Sequence, residues 1–114
     1  MGEIDWQQEL NRAALPHAVL AVLSNGESHG YAIIEFLKSH GFARSKGGTL
    51  YPLLKRLEDQ GLVEYEWQHV EAGPARKQFS LTEQGRVELQ RAAAAWRQMD
   101  ESLAGIRANR QERQ

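Results

Sequence analysis

The sequence predicts a mainly α-helical fold with one small β-hairpin, extended by a long C-terminal helix. Three observations predict it: leucines at i, i+3, i+4 and i+7 (Leu50, Leu53, Leu54, Leu57), an alternation of apolar residues at Val63, Tyr65 and Trp67, and a heptad-like run from Leu89 to Ile106. A chain of 114 residues suits one small domain, whose thin core leaves apolar surface for a partner to cover.

Leu15, Ala18, Val19, Val22 and Leu23 form the stripe of a first helix that ends at Asn25-Gly26, while Trp6 and Leu10 fall on a preceding turn or short helix that Pro16 kinks away. Tyr31, Ile33, Ile34 and Leu37 make a second helix, with Ser28 as its N-cap and Gly41 beyond its end. The leucine stripe is the third helix. Pro52 has no N–H and is tolerated in the first turn, so this helix is expected to start near Gly48 or Thr49 and to close at Gly61. Val63, Tyr65 and Trp67 then read as a strand with one buried face, and Phe79 and Leu81 continue that face after a turn. Between them, Gly73-Pro74 breaks the ladder and Arg76-Lys77 gives the hairpin a basic tip; Trp67 is expected to point inward as a structural residue.

The last helix is expected to start at Thr82, with Glu83 in its first turn where negative charge suits the helix dipole. Leu89, Ala92, Trp96, Met99, Leu103 and Ile106 are spaced three and four apart in turn, as in a coiled-coil seam. At about 1.5 Å per residue such a helix reaches ~40 Å, beyond the edge of a small domain, so its seam calls for a second copy. Helix, helix, helix, strand, strand is the order of a winged helix-turn-helix. The expected organisation is that domain over residues 1–81 and a C-terminal dimerisation helix over residues 82–114 packed on it.

The net charge of −1 runs mildly against nucleic-acid binding, but the charge is unevenly placed. Residues 1–43 set Arg12 and Lys38 against Glu3, Asp5, Glu9, Glu27 and Glu35, whereas residues 44–57 hold Arg44, Lys46, Lys55 and Arg56 with no carboxylate. A helix with a buried stripe and a cationic outer side suits a DNA groove, and its N-terminal tip is the part that meets bases and phosphates. The candidate DNA-binding residues are therefore Lys46, Gly48, Thr49, Tyr51, Pro52, Lys55 and Arg56, with Arg76 and Lys77 from the wing. Against this stand blander readings: Lys55 and Arg56 as a solvated face occupied by Glu58 and Asp59, and Tyr51 as a half-buried aromatic.

Other chemistries find no footing. The chain has no cysteine, and His17, His29, His40 and His69 lack metal-ligand spacing, so neither metal nor cofactor is expected. No nucleophile elbow, phosphate loop or paired acid marks an enzyme. The N-terminus lacks the regions of a signal peptide and no apolar run approaches the ~20 residues of a membrane span, which points to a cytoplasmic protein.

Three segments carry a family likeness: His29-Gly30-Tyr31-Ala32-Ile33; Gly48-Thr49-Leu50-Tyr51-Pro52-Leu53-Leu54-Lys55-Arg56-Leu57-Glu58 with Gly61-Leu62-Val63; and Gly73-Pro74-Ala75-Arg76-Lys77 leading to Leu81-Thr82-Glu83-Gln84-Gly85. They resemble the PadR family of transcriptional regulators, in its short branch with a single C-terminal helix. The resemblance implies dimeric DNA-binding repressors, some relieved by small aromatic or drug-like ligands. It also implies that Trp96 is the counterpart of a dimer-interface tryptophan that lines a ligand pore in multidrug-binding relatives. Ala92 and Ala93 are small enough to leave a gap between paired indoles, with Met99 alongside and Trp6 as a lid, for a planar hydrophobic ligand; plain dimer core is the other reading of Trp96. The expected dimer seam is Leu89, Ala92, Trp96, Met99, Leu103 and Ile106. Gln78 beside Phe79, where relatives often carry two aromatics, and Asp59 on the third helix depart from the family pattern. The reading is thus a homodimeric repressor on an inverted-repeat operator of double-stranded DNA. A winged-helix protein-interaction module and a ligand-binding dimer with little DNA affinity are the alternatives.

Overall fold

The computed structural model describes residues 2–112, so residues 1, 113 and 114 of the expected segments lie outside the described ones. The chain runs α1 (Trp6–Ser24), β1 (Ser28–His29), α2 (Gly30–Ser39), α3 (Gly47–Asp59), β2 (Val63–Gln68), β3 (Arg76–Leu81) and α4 (Glu83–Glu112). The three strands form an antiparallel sheet in the order β1-β3-β2. This is the winged helix-turn-helix that the element order predicts, carrying a long terminal helix.

The leucine stripe of α3 explains the core. Leu50, Leu53, Leu54 and Leu57 are all buried, against Val19, Leu20 and Leu23 of α1, Ile33, Ile34 and Leu37 of α2, and Val63, Phe79 and Leu81 of the sheet. Each fully buried aliphatic side chain contributes about 1.5–3 kcal/mol, which fixes the azimuth of α3 and so decides which of its residues face outward.

Three local expectations are corrected. The segment holding Trp6 and Leu10 is one continuous helix with the Val19 stripe, and Pro16 lies inside it. Asp5 caps that helix by accepting from the Gln8 amide and Asn11 Nδ2 donates to the Gly41 carbonyl at 2.8 Å ahead of Pro16, while Val19, Leu20 and Leu23 are buried in the core after it, so anchoring on both sides offsets the missing hydrogen bond. Ser28 does not cap α2. Pairing with Phe79 draws it into β1, and His29 caps α2 instead, its Nδ1 accepting from the Ala32 amide at 3.4 Å. Finally α3 begins at Gly47, one or two residues earlier than expected, which moves Pro52 into the second turn.

In the hairpin, Val63 opposes Leu81 and Tyr65 opposes Phe79 on the core side. Trp67, on the same side, opposes Lys77 beyond the edge of the core and is 61% exposed, so it is not the inward structural residue expected. Thr82 does cap α4: its hydroxyl accepts from the Gly85 amide at 2.9 Å and donates to the Gly61 carbonyl at 2.7 Å. A Cβ at Gly85 would overlap the Leu62 carbonyl oxygen, so the root of α4 is held hard against the end of α3. From there α4 leaves the domain, giving the chain a longest dimension of 67 Å.

Candidate nucleic-acid interface

The N-terminal tip of α3 is open to solvent. Lys46 occupies the cap position in extended conformation and provides no side-chain cap, while its carbonyl accepts from the Thr49 and Leu50 amides. The amides of Gly47 and Gly48 precede the first of these helical bonds, at the positive end of the helix dipole. Lys46, Gly48 and Thr49 are exposed around them. An uncapped, cation-flanked helix start of this kind accommodates a phosphate oxygen.

Tyr51 turns its ring across the tip and is 50% exposed. A Cβ at Gly30 would collide with the Tyr51 hydroxyl and ring, and one at Gly47 would lie 3.2 Å from Cε2. Gly30 therefore lets the first turn of α2 approach the first turns of α3 with one aromatic ring between them. One side of the Tyr51 ring is thus covered by Gly30 and Gly47 while half of the residue stays exposed. Tyr31 stands beside this contact, 65% exposed at the start of α2, with its hydroxyl donating to Glu35 at 3.2 Å. Residue type alone does not mark Gly30 and Tyr31 as site residues; the His29-Gly30-Tyr31 segment is the one signal the sequence holds for them.

The cations divide by partner. Lys55 Nζ lies 3.1 Å from Asp59 and 3.7 Å from Glu58, and these contacts, the Asp59 hydrogen bond first, hold its pKa above the ordinary lysine value. Arg44 bonds to Gln8 and lies 3.7 Å from Asp5, which ties the turn before α3 to the start of α1. Among the described residues, Lys46, Arg56, Arg76 and Lys77 have no carboxylate within 4.0 Å. Arg56 sits on the flank of α3, at the mouth of a cleft shared with Pro16, His17 and Leu20 of α1 and Glu88, Arg91 and Ala92 of α4. It stands apart from the outward line that holds Gly48, Pro52 and Lys55.

Arg76 and Lys77 are neighbours on β3 and so point to opposite faces of the wing, not together at its tip. Lys77 folds back over Tyr65, 4.0 Å from the ring centroid, with Trp67 5.7 Å away. Arg76 lies on the other face near His29, whose pKa is held below the ordinary histidine value first by partial burial and then by that guanidinium. The Gln78 Oε1, buried on the same face, has no hydrogen-bond partner among the described residues.

The second group of candidates gathers on α4 and the start of α1. Leu89 packs on the domain's own core, whereas Met99, Leu103 and Ile106 are 54%, 47% and 66% exposed. Ala92, Ala93 and Trp96 are half-buried. Trp6 is 67% exposed, with Ile4 and Leu10 also open to solvent. Trp96, Ala93, Met99 and Trp6 line neither the cleft beside Arg56 nor a cavity of about 340 Å³ between the start of α1 and the turn before α3. Among the described residues there is no group of three or more potential metal ligands, and no helix is long and apolar enough to cross a membrane.

Known proteins share this arrangement. Residues 19–91 match the transcriptional regulator PadR-like family. The transcriptional regulator Rv3488 of Mycobacterium tuberculosis is 36% identical over 98 residues, which cover 86% of this chain and 90% of that protein. A crystal structure of a PadR family transcriptional regulator from Eggerthella lenta superposes with a TM-score of 0.80 at 33% identity, covering 87% of this chain and 86% of that one. Bacillus subtilis PadR in complex with operator DNA superposes with a TM-score of 0.64 at 31% identity, covering 69% of this chain and 46% of the longer relative.

Proposed function

The chain belongs to the PadR-like family of transcriptional regulators, and from that premise we propose that it is a homodimeric repressor that binds an inverted-repeat operator and is released by a small planar hydrophobic ligand at the dimer axis. The observation that carries the reading is the open start of α3, where free amides, Lys46, Thr49 and half of Tyr51 share one solvent-facing tip. Phosphates meet Lys46, the Gly47 and Gly48 amides, Arg56 at the groove edge and Arg76 from one face of the wing, while Lys77, on the other face, reaches a phosphate by swinging off the Tyr65 ring; these contacts position the helix. Thr49, Tyr51 and Lys55 reach base edges, the absence of a Gly48 side chain lets the helix lie close to the groove, and Pro52 presents an apolar ring there.

Dimerisation follows from apolar residues that the single chain leaves in water. Met99, Leu103 and Ile106 on α4 and Ile4, Trp6 and Leu10 around the start of α1 are exposed in one protomer, and a second copy buries both sets. Two α3 helices joined in this way meet successive major grooves roughly 34 Å apart. Trp96 and its symmetry mate then face each other across the axis, with Ala92 and Ala93 leaving room for a flat molecule to stack. Such a ligand derepresses by favouring a subunit arrangement that misses the groove spacing. Fluorescence titration of the tryptophans with a planar dye tests this part: quenching lost in Trp96→Ala supports it, and quenching unchanged by that substitution rejects it.

A gel shift on the segment upstream of the protein's own gene, with salt varied, tests the DNA reading. Binding that weakens steeply with salt and survives competition by unrelated duplex supports it. A second reading, a ligand-binding dimer with little DNA affinity, is favoured by the carboxylates around Lys55. Absence of any shift on that segment or on unrelated duplex, even at low salt, would favour that alternative.

A further inference from the structure

Opposite the buried leucines, the outward line of α3 runs Gly48, Pro52, Lys55 and Asp59, at i, i+4, i+7 and i+11. Gly48 contributes no side chain and Pro52 no N–H, so the side-chain hydrogen-bonding groups on this line are one ammonium and one carboxylate. They hold each other at 3.1 Å, with side chains 65% and 61% exposed. Glu58, also near the ammonium, lies off the line and is only 25% exposed.

This pair meets a duplex on unequal terms. An ammonium finds acceptors everywhere, on phosphates and on guanine O6 and N7. A carboxylate is repelled by all of these and gains only from an amino donor. The adenine amino group sits beside the N7 acceptor of the same base, whereas the major-groove edge of cytosine presents its N4 amino donor alone. Lys55 and Asp59 are separated by about 6 Å along the helix axis, less than two base steps of roughly 3.4 Å, so both can address neighbouring pairs.

We propose that Lys55 and Asp59 act as one reading unit, Lys55 donating to a guanine and Asp59 accepting from the N4 amino group of a cytosine at a neighbouring base pair, with Asp59 weakening binding to every sequence that lacks this donor. The proposal rests on the DNA-binding reading and sharpens it. Asp59 serves specificity by making wrong sequences worse, since its charge opposes the phosphate attraction that holds the protein to any duplex.

The test is a binding selection by the full chain from a duplex pool randomised over about 20 base pairs, the span of two half-sites one turn apart, repeated with Asp59→Asn and Lys55→Ala. The wild-type protein should retain a fixed cytosine with a guanine beside it. Asp59→Asn, an exposed and nearly isosteric change that keeps an acceptor oxygen but adds an amide donor and removes the charge, should relax the cytosine so that adenine and guanine are also accepted there, keep the guanine that Lys55 reads, and bind unselected mixed-sequence duplex about five- to tenfold more tightly. Lys55→Ala should lose the guanine. Selection of the same sequences by Asp59→Asn, with unchanged affinity for mixed-sequence duplex, would overturn the proposal and leave DNA binding standing. A folded, dimeric wild-type protein that retained no duplex at low salt would remove both.

Discussion

α3 and α4 each carry an apolar stripe of helical period, yet one is buried by its own chain and the other is not. Leu50, Leu53, Leu54 and Leu57 lie within a helix that spans Gly47–Asp59, and α1, α2 and the sheet enclose all four. The seam on α4 begins the same way, with Leu89 on the core, and then runs out of the domain through Met99, Leu103 and Ile106. Periodicity reports that a face must be covered; the length of the helix relative to the domain decides whether another chain covers it.

The comparison can be broken first where the effect is largest. Leu54→Ala should destabilise the fold by about 2–5 kcal/mol in urea unfolding, at any protein concentration, because it opens a cavity inside one chain. Gly30→Ala should cost about 1–3 kcal/mol and weaken operator binding, since the new methyl displaces Tyr51 from the tip; sedimentation should show the dimer intact. Leu103→Glu should leave circular dichroism unchanged while shifting the protein to monomer in size-exclusion chromatography and abolishing the concentration dependence of its melting temperature. At the tip, Lys46→Ala should lower the slope of log affinity against log salt by about 0.9. An unchanged slope would take Lys46 off the phosphates.

The smallest effect concerns His29. Its pKa is lowered in the folded chain from the ordinary 6.5, so the fold favours the neutral ring that caps α2. The unfolded chain takes up the proton first. Stability contributed by this group is therefore present above pH 6.5 and declines as pH falls below it, down to the folded pKa. His29→Asn, which keeps a capping oxygen and does not titrate, should remove that part of the pH dependence of the melting temperature.

Much of the scaffold was legible because its signals are periodic. The leucines of α3, the alternation of Val63 and Tyr65, and the Thr82 cap were each read from spacing and recur in the structure. β1 was not legible, since Ser28 and His29 are too few to carry a period. Pro16 reads as a kink between two segments because the sequence does not display the Asn11–Gly41 tie and the burial of Val19, Leu20 and Leu23 that hold α1 in place on either side of it. For the candidate site the sequence offers a list of residues and does not give their arrangement. Adjacent strand residues alternate, so Arg76 and Lys77 separate onto two faces, a consequence of their positions that the compositional reading of a basic tip passed over. The blander alternative for Lys55 was right about its partners, because Glu58 and Asp59 do hold it in the free chain. Gly30 is intelligible only with the Tyr51 ring against it.

Sedimentation of the protein with a labelled operator-length duplex at low salt tests most directly the claim that two chains present paired α3 tips to DNA. The account predicts a complex of two chains per duplex, dissolved by added salt. Single chains sedimenting apart from the duplex would contradict it.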